Sequence, residues 1–371
     1  MAVIDKLGNY IERLNRPNSD LRYGIDDVCG ITNTKQLVTG TKANLIGRTF
    51  EKFTILAPRE FIFNRRTSRN GERISLGYNT TDREWILTED YCHFRVRKDK
   101  ENILDPDFLY LFFLNPEFDR YARFNSWGSA TEFFNWEEII ETPIPILPID
   151  EQRRIVHDYQ VITDRIELLR KINEKLEEQV YCLFKSFVSG IEKNGTLSDL
   201  AIITMGISPE GETINSFCEG LVFYQGRSDF GFRFPSVRLY TTNPVRRAKC
   251  NDILISVRAP VGDINIAKED CAIGRGLASI RSKDENHSFI YYTMKDLYFD
   301  LQRFNDEGTV FGAISKDDLA NQKVVLLNPT IRQDFESKAE SIDACIRNFE
   351  FEIFALKKIR NNLLSGISKG A

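Results

Sequence analysis

Residues 64–73 gather four arginines with asparagine, threonine and serine: Asn64-Arg65-Arg66-Thr67-Ser68-Arg69-Asn70-Gly71-Glu72-Arg73. A guanidinium can donate two parallel hydrogen bonds to a guanine edge or clamp a phosphate, and an amide can pair with an adenine edge. A second stretch carries the same chemistry in Gln225-Gly226-Arg227-Ser228, followed by Arg233, Arg238, Arg246 and Arg247. One such cluster alone reads as a solvated basic loop. Two of them in corresponding halves of a duplicated chain suit a bipartite polyanion, of which DNA is the obvious example. The candidate contact residues are therefore Arg65, Arg66, Arg69 and Asn70 in the first half, and Gln225, Arg227, Ser228 and Arg233 in the second. Arg258 lies between apolar strands and is read as defining the fold.

Other chemistry is hard to find. The sequence has no G-x-x-x-x-G-K-[ST] phosphate loop, no G-x-G-x-x-G after a strand, no G-x-S-x-G and no H-E-x-x-H. Gly274-Arg275-Gly276-Leu277 is too short to cradle a phosphate and reads as a tight turn between strands. The three histidines (His93, His157, His287) have no metal-ligand spacing, and the seven scattered cysteines form no Cys-x-x-Cys pair. They read as reduced thiols in a cytoplasmic protein. No run approaches 18 apolar residues, so no membrane is expected as a partner. A net charge of −4 over 371 residues argues against indiscriminate nucleic-acid binding. The charge is segregated, however. Residues 42–73 hold eight Lys or Arg against three acids, residues 225–258 seven against two, and residues 132–178 twelve acids against six bases.

The elements that must position these clusters occur twice. Leu7-Gly8-Asn9-Tyr10-Ile11 opens the first half as Leu197-Ser198-Asp199-Leu200-Ala201 opens the second. Gly128-Ser129-Ala130-Thr131 precedes Trp136-Glu137-Glu138-Ile139, as Gly308-Thr309-Val310 precedes Lys316-Asp317-Asp318-Leu319. A short apolar strand (144–147 or 324–327), a proline (Pro148 or Pro329) and a long helix follow each time. A period near 180 residues means domain duplication and not a solenoid. Within each half, short strands are expected at 61–63, 85–87, 92–96, 252–257 and 263–266, helices at 107–114 and 288–303, and a hairpin turn at Asn70-Gly71.

Both long helices carry an apolar residue every seven positions. One seam line of the first is Ile155, Ile162, Leu169, Leu176 and Leu183, beside Tyr159, Ile166, Asn173, Val180 and Phe187. The second has Phe335, Ile342, Phe349, Leu356 and Leu363, beside Ala339, Ile346, Ile353 and Arg360. This 4,3 spacing is that of a coiled-coil seam, so the two helices are expected to pair antiparallel; the alternative is that each packs on its own domain. The first should run from about 150 to 188 and the second should be slightly shorter. Asn173 either sets register or lies at a frayed contact. The expected segments are 1–148, 149–190, 191–328 and 329–371: two α+β domains, each followed by a spacer helix.

Four stretches resemble the specificity subunit of type I restriction-modification systems. They are Gly128-Ser129-Ala130 with Trp136; Ile144-Pro145-Ile146-Leu147-Pro148 running into Glu151-Gln152-Arg153-Arg154-Ile155-Val156; DILISVRAPVGDINIA at 252–267; and IGRGLA at 273–278. The second proline-glutamine segment, Pro329-Thr330-Ile331-Arg332-Gln333, departs from the pattern. The resemblance implies two tandem target-recognition domains, each reading one half of a split sequence in double-stranded DNA. It also implies two modification subunits that bring S-adenosylmethionine, restriction subunits that bring ATP and magnesium, and neither catalytic residues nor cofactor in this chain. The other readings are a two-headed protein-binding scaffold, a DNA-modifying enzyme with an unrecognised site, and the specificity subunit of an orphan methyltransferase.

Overall fold

The computed structural model describes residues 3–40, 45, 47–66, 73–128, 132–305 and 312–368. It divides into one unit of residues 1–166 with 355–371, and a second of residues 167–354. Each unit therefore contains part of both long helices.

Unit 1 is built on an antiparallel four-stranded sheet in the order Ile11–Leu14, Tyr91–Val96, Phe61–Asn64, Leu76–Tyr78. Unit 2 repeats it with Ala201–Met205, Leu277–Ser282, Ile253–Ser256, Ile264–Ile266, again antiparallel throughout. Taken in chain order, both sheets place the first strand beside the fourth and the fourth beside the second. A matching clasp closes each unit: Val3–Lys6 pairs with Pro143–Ile146, and Gly195–Thr196 with Lys323–Val324. The amide of Leu7 donates to Thr142 O at 2.9 Å, as Leu197 donates to Gln322 O at 2.9 Å. The repeated openings at Leu7 and Leu197 are thus the same structural joint.

The connection between the first two strands differs. Unit 1 inserts the ribbon Cys29–Ile31 with Leu37–Thr39, and the strand Thr54–Leu56, which pairs with Trp85–Leu87. Unit 2 instead builds most of a five-stranded sheet: Ile214–Asn215, Leu239–Thr241, Leu221–Tyr224, Cys271–Ile273, Arg247–Ala248. Each four-stranded sheet packs on helices that follow it. In unit 1 Asp105 caps Pro106–Leu114 by accepting from Asp107 N at 2.8 Å and Phe108 N at 3.4 Å. The second helix there is Pro116–Phe124. The helix expected at 288–303 is His287–Asp296, continued by the short turns Tyr298–Leu301 and Gln302–Asn305.

The long helices are Ile149–Val188 and Pro329–Ser368. Each has 40 residues, so the second is not the shorter. At about 1.5 Å per residue each spans about 60 Å. Their ends belong to the unit cores. Ile155, Val156, Tyr159, Leu363, Leu364 and Ile367 pack in unit 1; Val180, Leu183, Phe184, Phe187, Phe335, Ala339 and Ile342 pack in unit 2. Every remaining seam residue, namely Ile162, Ile166, Leu169, Leu176, Ile346, Phe349, Ile353 and Leu356, is buried or half-buried. Asn173 is fully buried and donates from Nδ2 to Glu350 Oε1 at 3.0 Å, so its place in the seam is a paired contact and not a frayed one.

The proline-glutamine start of the first helix has a clear physical basis. Gln152 is fully buried, accepts from Asp105 N at 2.9 Å, and donates to Ile103 O at 2.7 Å and Leu147 O at 2.8 Å. One amide thereby joins the helix start to the neighbouring helix cap and to the preceding strand. In the second helix the fourth residue is Arg332, which pairs with Asp284 at 2.6 Å, while Gln333 is exposed. One turn on, Glu336 accepts from Ser288 N and Phe289 N, both at 2.9 Å. The second copy keeps the anchorage but divides it between Arg332 and Glu336.

Candidate nucleic-acid interface

Three separated segments of unit 2 meet through their backbones. The turn Gly274-Arg275-Gly276 links two strands, and a Cβ on Gly276 would lie 2.8 Å from Gln225 O, one on Gly274 3.2 Å from Gln225 Cα. Only glycine lets this turn lie against the start of the 225–238 loop. On its other side Val257 N donates to Gly276 O at 3.0 Å, which brings Arg258 alongside. Arg246 joins because its carbonyl accepts from Ile273 N at 3.0 Å. The side chains of Gln225, Arg227, Arg246, Arg258 and Arg275 are all exposed. Arg227 pairs with Asp263; among the described residues the guanidiniums of Arg246, Arg258 and Arg275 have no ion-pair partner. Ser228 is exposed and its Oγ accepts from Arg238 at 3.1 Å. Asp229, buried beneath the loop, accepts from Gln225 N and from Arg238 Nε at 2.9 and 2.8 Å, so a carboxylate fixes the loop's shape.

Arg233 is a correction. It is 2 % exposed and cannot meet a ligand on the surface. Its Nε donates to Glu177 Oε1 at 3.1 Å, its Nη1 to Asp343 Oδ1 at 2.6 Å and its Nη2 to the Tyr292 hydroxyl. Its guanidinium carbon lies 4.5 Å from the centre of the Tyr291 ring. Burial would raise the Glu177 carboxyl, but Arg233 and Lys295 more than reverse this and hold it below the ordinary carboxylate range.

In unit 1 the corresponding strand runs on into Arg65 and Arg66, both exposed and without an ion-pair partner among the described residues. Phe134 N donates to Arg65 O at 2.8 Å, and Arg66 bridges Phe133. In unit 2 Ile314 N donates to Val257 O at 3.1 Å, and Arg258 bridges Ala313. The registers superpose Arg66 on Arg258. Phe133 also bridges Trp127, which is 71 % exposed beside Arg66 and adds an aromatic face to the basic one. Arg69, Asn70 and the expected hairpin turn lie outside the described residues. Arg258 serves the fold through its backbone, as the sequence suggests, while its side chain is exposed with no ion-pair partner among the described residues. Aligning Phe61-Ile62-Phe63-Asn64-Arg65-Arg66 with Ile253-Leu254-Ile255-Ser256-Val257-Arg258 contains that signal.

The chain is thus a duplicated α+β protein whose two units carry exposed arginines at equivalent strand ends. The chain matches the family model described as type I restriction modification DNA specificity domain over residues 22–178 and 246–328, and it belongs to that family. It is 33 % identical over 258 residues to a Methanocaldococcus jannaschii protein bearing the name of the MjaX type I restriction enzyme specificity subunit. That match spans 62 % of this chain and 60 % of the relative. It is 24 % identical over 342 residues to the MjaIX specificity subunit of the same organism, across 82 % of this chain and 77 % of that one. The solved S subunit of a type I restriction-modification system from M. genitalium shares the fold, with a TM-score of 0.59 at 14 % identity over 99 % of this chain and 96 % of that one. Among the described residues no helix is long and apolar enough to cross a membrane.

Proposed function

We propose that this chain is the sequence-reading subunit of a type I restriction-modification complex, each unit reading one half of a split duplex DNA target. The observation that carries the proposal is the equivalence of Arg66 and Arg258, exposed arginines at corresponding strand ends of two units that share a framework and differ in their insertions. Arg65, Arg66, Gln225, Arg227, Ser228, Arg246, Arg258 and Arg275 form the contact surface, with phosphate contacts supplying salt-dependent affinity and base-edge contacts the sequence choice. Arg69 and Asn70 are proposed as further contacts on their residue types alone. The long helices pair antiparallel along their seam, a reading supported by buried Ile166, Leu169, Ile346 and Ile353 and by the Asn173–Glu350 hydrogen bond. Two modification subunits supply S-adenosylmethionine and methylate adenine, restriction subunits supply ATP and magnesium for cleavage, and the assembly works in the cytoplasm.

The test is methylome mapping of cells expressing this chain with the methyltransferase encoded beside it. A split adenine motif that disappears on deletion of residues 197–327 is expected. Methylation or cleavage by the purified chain alone would overturn the reading in favour of an enzyme.

A further inference from the structure

The 225–238 loop bears three of the exposed contact residues and combines apolar anchors, Phe230, Phe234 and Val237, with polar fastenings. Its first half is shaped by Asp229. Its second half is stitched to an edge strand: Gly231 N donates to Asn265 Oδ1 at 2.9 Å, Asn265 Nδ2 donates to Gly231 O at 3.1 Å, and Ile266 N donates to Arg233 O at 2.7 Å. From that stitch the Arg233 side chain turns inward. Its carboxylate partners come from different elements: Glu177 is on the first long helix and Asp343 on the second. Tyr291 and Tyr292 flank it from the helix His287–Asp296, and each donates to one of those carboxylates, at 2.8 and 3.0 Å. The next residue, Phe234, is 2 % exposed with its ring 5.6 Å from that of Phe351 on the second long helix.

A planar fork with donors in fixed directions cannot satisfy two carboxylates and a phenol unless all three stand in one arrangement. The cluster thus has a single geometry for loop, helix and helix together. Simple stabilisation would not require this, because a buried ion cluster is often no more stable than apolar residues of similar volume. What such a cluster supplies is orientation.

We propose that Arg233 is a positioning residue: it fixes the loop carrying Gln225, Arg227 and Ser228 in one orientation on both long helices, and so sets which bases unit 2 selects. It acts through those side chains and touches no nucleic acid itself. The inference rests on the DNA-reading function proposed above.

The test uses the full chain and a pool of duplex DNA with randomised positions, from which bound molecules are recovered and sequenced. Replacing Arg233 alone strands two largely buried carboxylates and endangers folding, so the informative variant neutralises all three groups, R233M with E177Q and D343N, and leaves the partly exposed Lys295 as the remaining charge. It should fold, keep one half of the recovered motif unchanged, and lose base preference in the other half by at least tenfold. R233K keeps the charge without the fork and should lose part of that same preference; it carries the test if the triple variant does not fold. A folded triple variant, or failing that R233K, recovering both halves like the wild type overturns the proposal, as does equal loss from both halves. A wild-type pool with no two-part motif would instead sink the DNA-reading function, and this inference with it.

Discussion

Among the described residues, both units bury one cation from the segment inserted after their first strand, but they attach it to different things. In unit 1 it is Lys35, 3 % exposed, which pairs with Asp119 at 2.7 Å and donates to Phe113 O at 2.5 Å. Both partners lie on the unit's own short helices, Pro106–Leu114 and Pro116–Phe124. In unit 2 it is Arg233, and its carboxylate partners lie on the long helices. The same need, to seat an insertion on a duplicated framework, is met once by a point charge and once by a fork. The frameworks can stay alike because strand order and clasp do not depend on the insertion. The candidate contact surfaces diverge because each insertion carries its own fastening.

That contrast can be broken most severely at Lys35. Lys35→Met leaves Asp119 buried without its counter-charge and should cost unit 1 about 3 to 5 kcal/mol. Adding Asp119→Asn, which keeps the acceptor for Ile74 N, should recover most of it. Thermal unfolding followed by tryptophan fluorescence reads unit 1 selectively, because Trp85, Trp127 and Trp136 all lie there; no recovery in the double variant would argue that Lys35 is held by packing alone.

Acid should separate the units next. His93 is 2 % exposed, its Nε2 lies 2.8 Å from Glu60 Oε2 and its Nδ1 has no hydrogen-bond partner among the described residues, which fits a neutral ring donating from Nε2. Burial, then Arg16 and Arg95, push its pKa down to about 3. The unfolded chain binds this proton more readily, so unit 1 should lose stability as pH falls from about 6.5 toward about 3, by at most about 1.4 kcal/mol per pH unit. Glu177, with its folded pKa depressed, contributes stability above its unfolded value that is lost only as pH falls below the ordinary carboxylate range. Tryptophan signals should therefore report melting of unit 1 at a milder acidity than hydrogen exchange reports for unit 2; simultaneous loss would refute the distinction.

A smaller effect is expected from Gly276→Ala. The new Cβ must displace Gln225 O, at a cost of about 1 to 3 kcal/mol, and it should weaken one half-site without touching the other in a selection from random duplexes. The smallest concerns what the units share. Arg66→Ala and Arg258→Ala should each reduce the slope of log affinity against log salt by about 1, equally, if both meet phosphate. Unequal slopes would mean that equivalent positions have taken different partners.

Much of this was legible in the sequence because it rests on local pattern. The duplication, the clasp strands, the helix starting at Ile149 and the heptad seam follow from periodicity and from proline placement. Charge counts pick out the basic segments but cannot tell a surface arginine from a buried one. Arg233 and Arg258 have the same side chain, and what separates them is whether carboxylates 56 and 110 residues away fold underneath. Arg275 and Arg246 were passed over for a related reason: the turn and strand that bring them beside Gln225 are joined only through non-local pairing. The departure at Gln333 was visible, but its compensation by Arg332 and Glu336 needed the fold.

If the long helices pair as proposed, their length sets the spacing between the two half-sites. Removing one heptad from the middle of each long helix preserves the seam and shortens both by about 10.5 Å at about 1.5 Å per residue, close to three base pairs of B-DNA. Selection from random duplexes with the shortened chain should recover the same two half-motifs with a spacer shorter by about that amount. The same half-motifs at an unchanged spacing would contradict the account.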